Sequence, residues 1–120
     1  MSDLEAAEPD AIVVLTTMSS EDEARDLAAQ LIARRLAACV QIGGPIESTY
    51  RWQGQIETAA EWRITIKTRR TRYADVAAAI RELHSYDTPQ IVAIPITAGD
   101  PAYLKWLYAE VSAAHGAGAG

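Results

Sequence analysis

The pattern of apolar and polar positions begins with a strand and a helix. Ile12 to Leu15 form a continuous apolar run, which is typical of a strand covered on both faces, and we place that strand at residues 11–17. Ser20 and Glu23 have the spacing of a capping box, in which the serine hydroxyl accepts the Glu23 N–H and the glutamate reaches back. Five apolar residues then recur at helical spacing and form one stripe. They are Ala24, Leu27, Ala28, Leu31 and Ile32.

Two long strands follow and are predicted to form a hairpin. Residues 55–68 alternate apolar and polar side chains, which is the period of a strand. Residues 39–52 alternate on either side of Gly43-Gly44-Pro45, so we expect a bulge or bend there. Gln53-Gly54 supplies a tight turn that joins the two strands.

The remaining elements are two helices and a strand. Residues 72–84 have the spacing of an amphipathic helix, and residues 91–96 look like a buried strand. Pro95 in that strand indicates a sheet edge, because proline cannot donate to the ladder. Asp100 and Pro101 fit the N-cap and first position of a third helix. Its inward residues are predicted to be Leu104, Leu107 and Val111.

The order β-α-β-β-α-β defines a ferredoxin-like α+β fold, here with an additional C-terminal helix and a long extended β-hairpin. Right-handed crossovers place the two main helices on one face of a four-stranded sheet. Each hairpin arm has ~14 residues and spans roughly 45 Å, whereas a compact domain of ~100 residues is about 35 Å across. The hairpin should therefore overhang, and its exposed edge requires a partner. We expect that partner to be a second copy, in a head-to-tail ring of three or more subunits.

Composition separates this domain, at residues 11–112, from its two ends. The 120-residue chain has a formal charge of −5, and residues 1–10 contain four acids and no base. We predict a disordered acidic leader at 1–10 and a flexible tail at 113–120, which includes His115.

Without the four leader acids, 12 acidic residues face 11 basic ones. That balance argues against nucleic acid or an anionic membrane surface as a partner. The single cysteine, Cys39, excludes an internal disulfide and a zinc site with two thiolates. The sequence has no apolar run of ~18 residues and its first residues do not resemble a signal peptide, so we expect a cytoplasmic protein that does not enter a membrane.

Five motifs, in order along the chain, carry a resemblance to a known family. They are Leu36–Val40, Ser48–Gly54, Glu61-Trp62 with Ile66–Thr68, His84–Pro89 and Tyr103–Trp106. Over residues 11–112 the chain is similar to the CutA (divalent-cation tolerance) family. The resemblance implies a ferredoxin-like subunit, a homotrimer locked by its long hairpins, a cytoplasmic location and a role in the response to divalent metals, especially copper.

The chain departs from that family at three positions. Ser85 stands where the family usually has proline after the histidine. Thr16 and Leu83 stand where some metal-binding members have a cysteine and a second histidine. Of the three copper ligands that the resemblance implies, this leaves His84.

Cys39 and His84 are the candidate metal ligands, each with a structural alternative. Cys39 fits a small buried hydrophobe or a soft ligand for Cu(I). His84 ends a helix, where it fits a hydrogen-bonding role or contact with copper or another divalent ion. Together they supply two ligands, fewer than the usual three or four, so a tight site would need a neighbouring subunit.

A second set of candidate residues would bind a small molecule. Tyr50, Trp52 and Tyr86, with Tyr103 and Trp106, would pack at an interface or line a cleft between subunits. Glu61 and Lys67 share a strand face, as a surface charge pair or as a site in which Lys67, beside Tyr86, binds an anion or metabolite.

No nucleophile elbow, P-loop or G-x-G-x-x-G motif is present, so we predict no enzyme. The functional hypotheses are a trimeric metal-tolerance protein, a trimeric small-molecule sensor with a ligand site between subunits and, ranked last, an uncharacterised enzyme.

Overall fold

The computed structural model describes residues 10–112. The predicted tail at 113–120 and residues 1–9 of the predicted leader lie outside the described residues. Asp10, the last residue of that predicted leader, is described and forms an ion pair of 2.8 Å with Arg69.

The strands and helices follow the predicted order. They are β1 (Ala11–Met18), α1 (Glu21–Ala33), β2 (Cys39–Trp52), β3 (Gln55–Arg69), α2 (Tyr73–Leu83), β4 (Val92–Pro95) and α3 (Pro101–Glu110), with a short 3-10 turn at Arg70–Arg72. The strands form one sheet in the order β2-β3-β1-β4, and all neighbours are antiparallel. The ferredoxin-like α+β prediction, with its third helix and long hairpin, is confirmed.

The core lies between one face of the sheet and helices α1 and α2. On the strands it uses alternate residues, such as Val14, Ile64 and Ile66, which are fully buried. The apolar stripes of the two helices cover them, with Leu27 of α1 and Ile80 of α2 also fully buried. The opposite face is covered by α3 at one end, where Ala11, Leu107 and Val111 form a second, smaller cluster.

The helices begin where their capping residues predict. The Ser20 hydroxyl accepts from the Glu23 N–H at 3.1 Å, and the Asp100 carboxylate accepts from the Tyr103 N–H at 3.1 Å. The carboxylate of Glu23 accepts from the Ser19 hydroxyl rather than closing the predicted capping box on Ser20. No helix within residues 10–112 is long and apolar enough to cross a membrane.

The prediction that residues 91–96 form a buried strand is wrong in one respect. β4 is a strand, but all its residues are exposed, including Val92 at 45% and Ile94 at 50%. The reason is its position at the edge of the sheet, which Pro95 correctly indicated. An apolar sequence cannot distinguish a strand buried in its own subunit from an edge strand that leaves apolar surface open.

Strand β3 is longer than β1, and the difference creates an overhanging hairpin ribbon, residues 46–61. Residues 62–69 of β3 pair with β1, and residues 63–67 among them also pair with β2 on the other side. Residues 55–61 pair with β2 alone and extend about 20 Å beyond the body, at roughly 3.3 Å per residue. The molecule is accordingly 49 Å long in its largest dimension, which agrees with the predicted overhang.

The predicted bulge in β2 also reverses the face of the sheet to which its residues point. Gly43 is opposite Arg63 and Ile46 is opposite Glu61, so β2 contains one extra residue between these pairs. Before the bulge, Ile42 is opposite Ile64 and faces the core. After it, even-numbered residues of β2 share the face of Glu61, away from the core, because directly paired residues lie on the same side of a sheet.

Gly44 is the residue of this bulge that a side chain would disturb. A Cβ there would lie 2.9 Å from Cδ1 of Trp62 and 3.1 Å from the carbonyl oxygen of Glu61, and the φ of +153° is rarely adopted by other residues. A Cβ on Gly43 would meet nothing within 4 Å.

We expect Gly44→Ala to lower the free energy of unfolding by about 1–3 kcal/mol, because the Trp62 ring or the bulge must move. Gly43→Ala is the matched control and should change stability by less than about 1 kcal/mol. Urea unfolding at one protein concentration measures both values. Equal stability of the two variants would contradict the role assigned to Gly44.

Candidate ligand cleft at the base of the hairpin ribbon

A cleft of about 530 Å³ lies between the hairpin ribbon and the loop that joins α2 to β4. This volume is within the range of small-molecule sites. Residues from three segments line it, namely β1, the ribbon and the α2–β4 loop. They are Thr17, Ser48, Thr49, Tyr50, Trp52, Glu61, Tyr86, Asp87, Thr88 and Gln90.

A hydrogen bond between Tyr86 and Glu61 joins the loop to the ribbon. The Tyr86 hydroxyl donates to Oε2 of Glu61 at 2.9 Å. Glu61 is 6% exposed, so its carboxylate is one of the few buried charged groups of the described chain. Burial, followed by the hydrogen bond and the negative charge of Glu61, raises the pKa of Tyr86 to about 12. The phenol is therefore held as a donor to the carboxylate.

His84 fixes the start of the same loop. Its Nε2 bonds to the backbone carbonyl of Thr17, and its Nδ1 accepts from the Tyr86 N–H at 3.1 Å. A carbonyl can only accept and an N–H can only donate, so these partners fit the neutral ring with its proton on Nε2. The ring also lies against that of Tyr86, with centroids 4.7 Å apart. His84 thus positions Tyr86 and, through it, the cleft.

The two aromatic residues of the ribbon face the same cleft and remain accessible. Tyr50 is 42% exposed and Trp52 is 50% exposed. The bulge explains their direction, since Tyr50 is opposite Glu57 and shares the face of Glu61. Four of the five residues predicted to bind a ligand, Tyr50, Trp52, Glu61 and Tyr86, therefore line one cavity.

Lys67, the fifth, lies away from Tyr86 within the subunit, and its predicted place in a site shared between subunits stays a prediction. Lys67 is opposite Val13 on β1 and Cys39 on β2. It lies about 20 Å from Glu61 along β3, at roughly 3.3 Å per residue. Its Nζ lies 5.7 Å from the centre of the Tyr103 ring, so the lysine contacts α3. The shared strand face was correctly predicted, but five residues of extended chain lie between Glu61 and Lys67.

Tyr103 and Trp106 also lie apart from the cleft. Their rings contact each other on α3, with centroids 5.6 Å apart, and both side chains are more than one third exposed. They contribute apolar surface to the open side of the sheet, beside Lys67.

The two candidate metal ligands do not meet within the described subunit. Cys39 is opposite Lys67, whereas His84 bonds to Thr17, which is opposite Arg63. Because Arg63 and Lys67 are four residues apart on β3, the positions of His84 and Cys39 are about 13 Å apart along the sheet, at roughly 3.3 Å per residue. Within residues 10–112 no group of three or more His, Cys, Asp or Glu side chains is arranged to hold a metal ion. A metal site with either residue needs ligands from another subunit and stays a prediction.

Sequence reasoning missed six lining residues. Ser48, Tyr50 and Trp52 are spaced two residues apart and so share one face of the strand, and Asp87 and Thr88 directly follow Tyr86. These three could have been found from the chain. Thr17, Thr49 and Gln90 give no such signal, because only the tertiary contact between β1, the ribbon and the loop brings them to the cleft.

The fold and the cleft define a ferredoxin-like α+β subunit with an overhanging ribbon and a small-molecule-sized cavity at its base. The family model described as CutA1 divalent ion tolerance protein matches residues 12–110. The chain therefore belongs to the CutA1 divalent ion tolerance protein family, as its motifs indicated.

Individual relatives agree with this assignment. The Divalent-cation tolerance protein CutA of Thermus thermophilus is 42% identical over 95 residues, 79% of this chain and 92% of that protein. Protein CutA 1, chloroplastic, of rice (Oryza sativa) is 40% identical over 96 residues, 80% of this chain. The chain spans about half the length of the plant relatives it matches, 54% in rice and 53% in Arabidopsis thaliana. The solved structure of the periplasmic divalent cation tolerance protein CutA from Archaeoglobus fulgidus superposes with a TM-score of 0.83 at 39% identity, covering 85% of this chain and 99% of that one.

The raised pKa of Tyr86 predicts a loss of stability in alkali. A pKa that is raised from 10.0 in the unfolded chain to about 12 in the folded one stabilises the fold below pH 10, and that contribution disappears between pH 10 and 12. Because Tyr86 is 36% exposed, we expect the contribution to be below about 2 kcal/mol.

An ultraviolet titration of tyrosinate in the wild type, minus that of Tyr86→Phe, isolates the ionisation of this phenol. It should fall near pH 12, and Glu61→Gln should move it to lower pH because the charge and the acceptor are both weakened. A Tyr86 component near pH 10 in the wild type would contradict the hydrogen-bonded arrangement.

Proposed function

We propose that this chain acts in the response to divalent metal ions as a homotrimeric, non-enzymatic protein of the cytoplasm. The family match over residues 12–110 carries the metal-tolerance part of the proposal. Among the named relatives, the rice protein is called chloroplastic and the Archaeoglobus fulgidus protein periplasmic. Compartment thus differs among relatives, and cell fractionation with an antibody to this chain tests the cytoplasmic location.

The trimer is supported by apolar surface that one subunit leaves uncovered. Val92 and Ile94 lie on an edge strand, and Trp52 and Ile56 lie on the ribbon, with Ile56 69% exposed. Free strand edges with apolar side chains favour pairing with another chain. The ribbon and the β4 edge are different surfaces, so a contact between them is head-to-tail and closes only as a ring.

We expect light scattering at micromolar concentration to give about three times the 13.0 kDa chain mass. Ile94→Glu should lower that mass, because a charge would be placed in an apolar interface. The control, Ala29→Glu, adds the same charge to an exposed position of α1 and should leave the mass unchanged. A stable wild-type monomer would contradict the trimer.

Direct metal binding is proposed to be weak. Both ring nitrogens of His84 have protein partners, so an ion must displace the Tyr86 N–H or the Thr17 carbonyl. Thr16 is fully buried among apolar residues, and Leu83 offers no donor atom. Each displaced hydrogen bond lowers affinity by about tenfold or more.

Calorimetric titration of the assembled protein with Cu(II) and with Cu(I) tests this. We expect weak, saturable binding that His84→Ala reduces and that Ser85→Ala, at the exposed neighbouring residue, does not. Circular dichroism confirms that both variants remain folded. If the wild type gives no saturable heat, direct ion binding is wrong.

A second candidate function, small-molecule sensing, is favoured by the cleft itself. A cavity of about 530 Å³ that gathers three aromatic rings and a buried carboxylate is more than a metal ion needs. The overhanging ribbon forms one wall, so a neighbouring subunit seated on the ribbon would share the site. A ligand bound there would couple to assembly, because it contacts the segment that joins subunits.

A further inference from the structure

We propose that a divalent ion and the closed α2–β4 loop compete for Nδ1 of His84, so that ion binding releases Tyr86 from Glu61 and opens the cleft. The inference rests on the proposed function, in which an ion binds weakly at His84 and the cleft is the site of small-molecule sensing. Thr17, Tyr86 and Glu61 belong to the same subunit as His84. A neighbouring subunit on the ribbon therefore adds atoms around these contacts and is not needed to form them.

The two ring nitrogens of His84 differ in what they offer to an ion. The neutral ring has its proton on Nε2, which donates to the Thr17 carbonyl, so the electron pair that an ion needs is on Nδ1. Thr17 is 8% exposed, and breaking its bond would leave a buried carbonyl without that donor. A ring N–H that donates to a backbone carbonyl is also the usual arrangement behind an ion-binding histidine. The ion is therefore expected at Nδ1.

The Tyr86 N–H occupies the position that such an ion would take. Its nitrogen lies 3.1 Å from Nδ1 of His84, whereas an ion such as Zn²⁺ lies about 2.0–2.1 Å from a histidine nitrogen. The unprotonated ring nitrogen has one electron pair, so both partners approach it from the same side. Ion and N–H cannot be accommodated together, and Tyr86 must move away when the ion binds.

Tyr86 transmits this movement to the cleft. Its N–H is held by His84, its ring centroid lies 4.7 Å from that of the imidazole, and its hydroxyl donates to Glu61 at 2.9 Å. Residues 84–91 connect α2 to β4 and have no helix or strand of their own. Because no ladder of backbone hydrogen bonds resists a displacement in such a segment, the bond from Tyr86 to Glu61 breaks when the Tyr86 backbone is displaced.

Opening of the loop removes one wall of the cleft. The loop contributes four lining residues, Tyr86, Asp87, Thr88 and Gln90. A small molecule that contacts them binds the closed loop, whereas the ion binds the open one. Each must then weaken binding of the other by the same factor, because coupling between two sites is reciprocal. The metal response and the ligand cleft are thereby two states of one switch.

The test is a titration of the assembled full-length protein with Zn²⁺, a diamagnetic divalent ion, followed by nuclear magnetic resonance. We expect the ring signals of His84, the amide signal of Tyr86 and the carboxylate carbon signal of Glu61 to shift together and to saturate at the same Zn²⁺ concentration. Glu61 is the informative signal, because its hydrogen bond to Tyr86 connects it to the ion site.

Three variants separate loop opening from ion binding. Tyr86→Phe removes the hydroxyl that holds the loop closed, so it should tighten Zn²⁺ binding by about threefold to tenfold. The control Tyr108→Phe removes a hydroxyl from α3 and should leave the affinity unchanged. His84→Asn removes the imidazole, while the asparagine oxygen can still accept from the N–H two residues on. It should keep the ion-free Glu61 signal in place and abolish the shift with Zn²⁺.

The outcomes distinguish the coupling from ion binding itself. If the His84 signals saturate while those of Tyr86 and Glu61 stay in place, or if Tyr86→Phe binds Zn²⁺ no more tightly than the wild type, the coupling is wrong and ion binding at His84 stands. A Glu61 shift that persists in His84→Asn would also overturn the coupling, because the ion then binds the carboxylate directly. If the His84 signals do not saturate, the proposed ion binding falls together with the inference.

Discussion

The unequal lengths of β1 and β3 control this structure. In a sheet every backbone N–H and C=O needs a partner, and β1 ends at Met18 while β3 begins at Gln55, well beyond the paired residue Trp62. The excess length of β3 is paired on one side only, by β2. The loop after α2 is joined to the ribbon by the hydrogen bond from Tyr86 to Glu61, and the cleft lies where this loop and the ribbon meet. The exposed apolar side chains of the ribbon and the cavity thus have one geometric origin.

The bulge in β2 determines which side chains of the ribbon face the cleft. A strand with uninterrupted alternation would place Tyr50 and Trp52 on the same face as Ile42, toward the helices. One extra residue reverses the alternation, and both aromatic side chains join Glu61 on the opposite face. Gly44 lies in this bulge with a φ of +153°, where a Cβ would lie 2.9 Å from Cδ1 of Trp62. Backbone register therefore decides that a buried acid faces aromatic rings.

His84, a residue of one of the five family motifs, holds the loop between α2 and β4 in position. It is a candidate metal ligand by residue type, and the structure engages both its ring nitrogens in the hydrogen bonds that hold the loop. Glu61 is held in turn by Tyr86. The hydrogen bonds from Thr17 through His84 and Tyr86 to Glu61 explain why Thr17, Tyr86 and Glu61 stand together in the cleft.

The sequence by itself determined the element order, the two helix caps at Ser20 and Asp100, the position of the bulge and the overhang, because periodicity, capping and strand length are local properties. It also selected four of the residues that line the cleft. Only the tertiary structure decided that Lys67 lies far from Tyr86 within one subunit, that β4 is exposed and that Glu61 and Asp87 line the same cleft. These depend on which strands are neighbours and on the register between them, and a one-residue change in register moves every side chain to the other face of the sheet.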